Sequence, residues 1–399
     1  MRERWAVGLA DLALAPLGWL GRLQRRGRQP AAPDTVLLLR LERIGDLLMT
    51  RDAIGAVRER VPDARIDLVV GSWNEAVARL LPGVDRVETL DAAWLARDRR
   101  SRGLPTLMRR AWSWRRQRYD LGINFEGDIR SNVLLWLSGA SRRAGFGMAG
   151  GAPLLTDPVA YNPRAHVAAN SMALVERALG PEGSTATPDR RPPAGSSRLS
   201  LPAEARVRAA DLLGLPVAGG TPPLVGIHAS GGREIKQWEP ARFAEVASTL
   251  GRSRGATIVL TGSAADRLLV NRVAALLPAD VRCIDLAGRV DVVGLAAVLE
   301  RLDVLVTADT GPMHLAAAVG TPLVALFGPS DPARWGPLSP SPHIVRIDLP
   351  CSPCSRIRRP PARCVGHIPD CLAGISVARV CEAVVEVLDE RGGGGANGR

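Results

Sequence analysis

Val304-Leu305-Val306-Thr307-Ala308-Asp309-Thr310-Gly311-Pro312-Met313-His314 runs from an unbroken apolar segment into residues suited to start a helix. A continuous apolar run is what a strand buried on both faces requires. Pro312 fits the first helical position, and Gly320 fits the helix end. A strand feeding directly into a helix is the building unit of a parallel α/β sheet.

The same alternation extends on both sides. Upstream, 224–228, 257–261 and 282–286 read as strands, with helices expected over 240–250, 265–277 and 292–301. Downstream, 323–327 reads as another strand. The first half repeats the pattern. Strands are expected at 36–39, 65–70, 86–90 and 121–125, with helices over about 45–61, 74–81 and 129–137. The expected fold class is therefore α/β: two Rossmann-like, doubly wound domains facing a central cleft, with ligands beyond the carboxyl ends of the strands.

Length and punctuation divide the chain further. With 399 residues, two cores are the default. The expected segments are an amphipathic, basic stretch 1–33, an N-terminal domain 34–180, a Pro/Gly/Ser-rich linker 181–222 and a C-terminal domain 223–345. A Cys-containing segment with a terminal helix follows at 346–390, then a Gly-rich flexible tail at 391–399. The apolar run 5–23 is short and broken by Asp11, Pro16 and Arg22. It reads as an interfacial helix, or as a disordered or loosely packed tail, rather than a span or a signal peptide.

Composition narrows the partners. An apolar fraction of 46% with 23% charged residues excludes wholesale disorder. The net charge of +12 favours anionic partners such as nucleotides, phosphorylated glycans or acidic lipid. Lys236 is the only lysine among 52 basic residues, which reads either as a compositional bias towards Arg or as the mark of a place where a compact ammonium is wanted. The stretch 94–119 interleaves Trp94, Trp112 and Trp114 with Arg97, Arg99, Arg100, Arg102, Arg109, Arg110, Arg115, Arg116 and Arg118. It reads either as a surface for phosphorylated acceptor or lipid headgroups, or as a solvated face. No nucleic-acid motif accompanies it, so no nucleic-acid partner is expected.

The six cysteines lie in the last third of the chain, which points to a reduced cytosolic protein rather than a disulfide scaffold. Cys351, Cys354, Cys364 and Cys371 have spacing that a structural zinc can use, though at irregular intervals; reduced thiols are the competing reading.

Three strand-end loops carry the chemistry. At the helix start after Thr307, backbone N–H groups can take a phosphate. There Thr310 adds a hydroxyl, Gly311 allows close approach and His314 lies in the first turn; the bland alternative makes Asp309 or Thr310 an N-cap and His314 a core residue. His228-Ala229-Ser230-Gly231-Gly232, leading to Lys236, suits a diphosphate, or is an ordinary turn. Asp46, just past the first strand, is placed to take a proton from an acceptor hydroxyl, or to cap a helix.

These pieces resemble glycosyltransferase family 9, the lipopolysaccharide heptosyltransferase family. The resemblance rests on Leu39-Arg40-Leu41-x-x-Ile44-Gly45-Asp46, Lys236-x-Trp238, Asp309-Thr310-Gly311-Pro312-Met313-His314-Leu315-Ala316-Ala317-Ala318 and Phe327-Gly328-Pro329-Ser330-Asp331-Pro332. It implies a GT-B fold and metal-independent, inverting transfer without a cofactor. The donor expected by analogy is a nucleotide-sugar, ADP-heptose, and the acceptor a lipopolysaccharide core or related phosphorylated glycan or glycolipid. It implies Asp46 as general base and Lys236 at the donor diphosphate. Ser230, Asp309, Thr310, Gly311 and His314 are implied to line the donor pocket, with Asp266 near the ribose. The chain departs from the family pattern at Glu42-Arg43, at Arg51-Asp52 and in the late Pro240. The expected setting is cytoplasmic, peripheral on an anionic inner membrane face. The competing functions are a nucleotide-sugar epimerase or hydrolase on the same fold, and a non-catalytic glycan- or membrane-binding protein.

Overall fold

The computed structural model describes residues 7–8, 11–17, 32–95, 103–180, 197–214 and 222–394. Most of the basic stretch 1–33, Arg97, Arg99, Arg100 and Arg102, much of the linker and residues 395–399 lie outside them. The chain divides into two units, residues 1–197 and 198–399.

The first unit is built on six strands: β1 (Thr35–Arg40), β2 (Arg65–Val70), β3 (Arg86–Thr89), β4 (Leu121–Asn124), β5 (Arg142–Phe146) and β6 (Asp157–Val159). They are parallel and ordered β3-β2-β1-β4-β5-β6. The second unit repeats this with β7 (Leu224–His228), β8 (Thr257–Leu260), β9 (Cys283–Asp285), β10 (Val304–Ala308), β11 (Leu323–Leu326) and β12 (His343–Val345). Their order, β9-β8-β7-β10-β11-β12, is the same doubly wound order. Strand order reverses between β1 and β4 in one unit, and between β7 and β10 in the other. Open α/β sheets bind ligands at such switch points.

Burial explains the strand sequences. Val36 to Leu39 have no exposed surface, because helices cover both sheet faces. In β7, a Cβ on Gly226 would sit 2.3 Å from Leu302, so only glycine lets the neighbouring chain approach. The helix Gly311–Val319 is buried from Met313 to Val319 and ends at Gly320, whose φ of 90° is the left-handed cap. Pro312 occupies the second helical position, not the first, since the helix begins at Gly311.

Several elements differ from expectation. The helix expected over about 45–61 is two helices, Ile44–Met49 and Arg51–Arg60, meeting at Thr50. The expected helix 74–81 is a 3-10 turn, Ser72–Asn74, followed by Glu75–Ala78. The strands β5, β6 and β12 and the helix Val167–Leu179 are additional. Within the expected linker, the helix Ala203–Leu213 belongs to the second unit, where Arg206 pairs with Glu300 of the helix Val292–Arg301 at 2.7 Å. Residues 11–17 are helical, and Asp11 Oδ1 accepts from Gly151 N. Among the described residues, no helix is long and apolar enough to cross a membrane.

Candidate active site

In the second unit, the loops after β7 and β10 meet at the switch point. The short 3-10 turn Glu234–Lys236 brings Lys236 back over the sheet edge. Its ammonium donates to the Asp309 carbonyl and lies 3.1 Å from Asp309 Oδ2. Ser330, in the loop after β11, donates its hydroxyl to the same carboxylate oxygen. Three strand-end loops thus converge on Asp309. Trp238 anchors the Lys236 turn from below: it is fully buried and stacks edge-on against Phe243 at 5.0 Å. Gly231 is required on the other side, because a Cβ there would fall 2.6 Å from the Lys236 backbone.

Thr310 is the N-cap of the helix Gly311–Val319, in extended conformation, and makes no side-chain cap bond. Its hydroxyl turns instead to Thr307 Oγ1, 3.3 Å away. The helix therefore presents its first N–H groups, and the positive end of its dipole, to whatever occupies the switch point. His314 lies buried on this helix.

Ser230 Oγ accepts from Gly232 N and also bonds Asp266. Asp266 reaches back to the Ser263 backbone N–H at 2.9 Å, closing a capping box. Burial opposes its ionisation, but the bonds from Ser263 and Ser230 and the nearby His228 outweigh it and hold the carboxyl below its ordinary range. Burial pushes His228 down to about 4 against the pull of Asp266. Its Nδ1 faces Thr261 Oγ1 at 3.1 Å.

The first unit has a matching arrangement at its own switch point. Asp46 is the third residue of the helix Ile44–Met49, not its N-cap; the N-cap is Arg43, whose N–H donates to Asp46 Oδ2 at 3.3 Å. The Asp46 side chain keeps 26% of its surface exposed. Arg40, ending β1, is buried; it lies 3.7 Å from Asp46, 3.5 Å from Glu126 and 3.8 Å from Glu42. It also donates to Phe125 O at 2.8 Å. Burial works against the Arg40 charge, but Glu126, Asp46 and Glu42 outweigh it.

Glu126 was not singled out in the sequence, although it too stands just past a strand, β4. Its Oε1 accepts from Leu41 N at 2.6 Å and Glu42 N at 3.1 Å, which fixes the loop leading to Asp46. Burial raises it to about 8, which Arg40 only partly offsets while Glu42 and Asp46 add to the rise. The Arg51-Asp52 departure is an interior feature: Arg51 donates to Leu48 O at 3.2 Å and Ser197 O at 3.1 Å.

All six cysteines are free thiols. Burial, with Cys354, Cys364 and Cys351 nearby, pushes Cys371 up to about 11. Among the described residues, no group of three or more His, Cys, Asp or Glu is gathered as a metal ion requires.

Comparison with known proteins identifies the family. The family model described as Glycosyltransferase family 9 (heptosyltransferase) matches residues 108–362. Lipopolysaccharide heptosyltransferase 1 of Pseudomonas aeruginosa is 29% identical over 334 residues, covering 80% of this chain and 85% of the relative. Lipopolysaccharide heptosyltransferase 2 of Escherichia coli K12 is 26% identical over 316 residues, covering 76% and 85%. The solved E. coli ADP-heptose lipopolysaccharide heptosyltransferase II superposes with a TM-score of 0.72 at 22% identity, over 90% of this chain and 99% of that one. With two like-ordered parallel sheets and this match over most of its length, the chain belongs to glycosyltransferase family 9 and is a glycosyltransferase of GT-B fold.

Proposed function

We propose that the chain transfers heptose from ADP-heptose to a lipopolysaccharide core or related cell-surface glycan, on the cytoplasmic side, with inversion and without a metal. The observation that carries the reading is the Lys236–Asp309–Ser330 assembly beside the uncapped start of the helix Gly311–Val319. An ammonium and a helix N-terminus together suit a diphosphate leaving group. The names of the relatives, which carry heptose and lipopolysaccharide, support the choice of donor and acceptor.

In this reading Asp46 takes the proton of an acceptor hydroxyl. The oxygen forms its bond to the anomeric carbon as the bond from that carbon to the diphosphate oxygen breaks, and ADP leaves with the electron pair. One displacement inverts the anomeric configuration. Lys236 and the helix N-terminus receive the charge that develops on the diphosphate. Thr310, Gly311, Ser230 and His314 shape the donor pocket around it.

The test is transfer from ADP-heptose to a heptose-deficient core acceptor, with the product analysed by NMR. Asp46→Asn is expected to keep ADP binding and lose transfer by ~10²-fold or more, the usual size of general-base help. Undiminished transfer would remove Asp46 from this role. Consumption of ADP-heptose without acceptor would favour an epimerase or hydrolase, and a thermal shift with UDP or GDP but not ADP would change the donor.

A further inference from the structure

The helix Leu104–Ser113 and the 3-10 turn Trp114–Gln117 that continues it have two unlike faces. Leu107, Ala111 and Trp114 are buried in the core of the first unit with Leu134 and Leu135. Leu104, Met108 and Trp112, four residues apart, form a second row about 100° round the helix from the buried one and are 53%, 38% and 53% exposed. That spacing stacks them in one row along the helix. A surface helix of a soluble domain ordinarily turns polar residues that way.

Charge frames the row. Residues 103–118 contain five arginines and no acid. Arg115 is spent locally: its guanidinium stacks on the Trp112 ring at 3.8 Å while Nε donates to Leu137 O, so the ring is held in place. Arg110 pairs with Glu88 at 2.9 Å. Arg109 and Arg116 are exposed and have no ion-pair partner among the described residues.

We propose that this face docks peripherally on a bilayer carrying anionic headgroups. Leu104, Met108 and Trp112 enter the boundary between headgroups and acyl chains, and Arg109 and Arg116 meet lipid phosphates. Tryptophan, with an apolar body and a polar N–H, is suited to that boundary. A free phosphorylated glycan would leave the apolar row without a role. A protein partner is also a poor fit, since three side chains fall far short of the ~800 Å² per side of a stable interface. The docking requires neither the donor nor the acceptor proposed above, and its test contains neither.

The experiment is co-sedimentation of the full chain with phosphatidylcholine vesicles, with and without phosphatidylglycerol. Wild type is expected to bind the anionic vesicles far better than the neutral ones. Arg109→Gln/Arg116→Gln should weaken that binding by about thirtyfold, from the usual contribution of a basic side chain near an anionic surface. Met108→Ser/Trp112→Ser should weaken it at least tenfold with an unchanged melting temperature. Should loss of the Arg115 stack unfold that variant, Leu104→Ser/Met108→Ser, which adds no charge and keeps Trp112, replaces it and carries the same expectation. No binding by wild type, equal binding to neutral vesicles, or either pair of variants binding like wild type would overturn the proposal. In the case where only the arginine pair matters, the surface attracts phosphate without inserting, and the membrane assignment fails.

Discussion

The Lys236 ammonium of the β7 loop is held 3.1 Å from the Asp309 carboxylate at the end of β10, with both side chains largely buried. The pair closes the second unit's switch point and aims a single compact cation at it. Lys236→Ala is expected to weaken ADP binding about 10- to 100-fold, the usual range for a lost hydrogen bond to a charged group. Lys236→Arg should not restore it, because a planar fork does not replace a point charge there. Isothermal titration with ADP decides, and unchanged affinity in Lys236→Ala would remove Lys236 from the donor site.

Glu126 links the two loops of the first switch point and predicts a pH dependence. Its folded-state value, about 8, is raised above 4.5, so the folded protein holds a proton that the unfolded chain releases. That contribution is complete below about 4.5 and is lost as pH rises through 8. Glu126→Gln keeps the acceptor oxygen for Leu41 N and Glu42 N but cannot ionise. Its melting temperature is expected to match wild type near pH 4.5 and to rise above it towards pH 8 and beyond. A constant difference across that range would refute the buried, protonated carboxyl.

His228 works in the opposite direction. Its folded-state value, about 4, is depressed below 6.5, so its contribution is present above 6.5 and lost as pH falls through 4. Between 4.5 and 6.5 the Glu126 and His228 slopes oppose one another, and each must be read as variant minus wild type. His228→Gln retains a polar partner for Thr261 and should show a shallower decline in melting temperature than wild type between pH 6.5 and 4, the part that His228 contributes. An undiminished decline would mean that His228 is already accessible to protons in the folded state.

Trp238 holds the Lys236 turn to the core. Trp238→Ala is expected to cost about 3–5 kcal/mol in equilibrium denaturation and to weaken ADP binding as well. Trp238→Phe should cost clearly less, because Nε1 has no hydrogen-bond partner to lose among the described residues. Equal losses from the two variants would point to a bond made by the indole nitrogen.

Much of the fold was legible because burial on both faces leaves its mark in the chain itself. β1, β2, β4, β7, β8, β10 and β11 read as strands from their apolar runs. β5 was missed because it opens on Arg142-Arg143, and the buried Arg143 donates to Leu154 O and Ala140 O, partners that no local pattern shows. β6 and β12 are three residues each, too short for a period to register. The positions of Asp46, Lys236 and Asp309 after their strands were likewise readable, since strand-to-helix loops are punctuated by Gly, Pro and small polar residues.

What the sequence by itself determined was local: which segments are strands or helices, and which polar residues stand at strand ends. Only the tertiary structure decided who meets whom there. Lys236 and Asp309 are 73 residues apart, and Leu41 and Glu126 are 85 apart. They touch because strand order reverses between β7 and β10, and between β1 and β4. Strand order is fixed by the free energy of burying whole sheet faces under helices, a property of the assembled unit that no stretch of the chain carries alone.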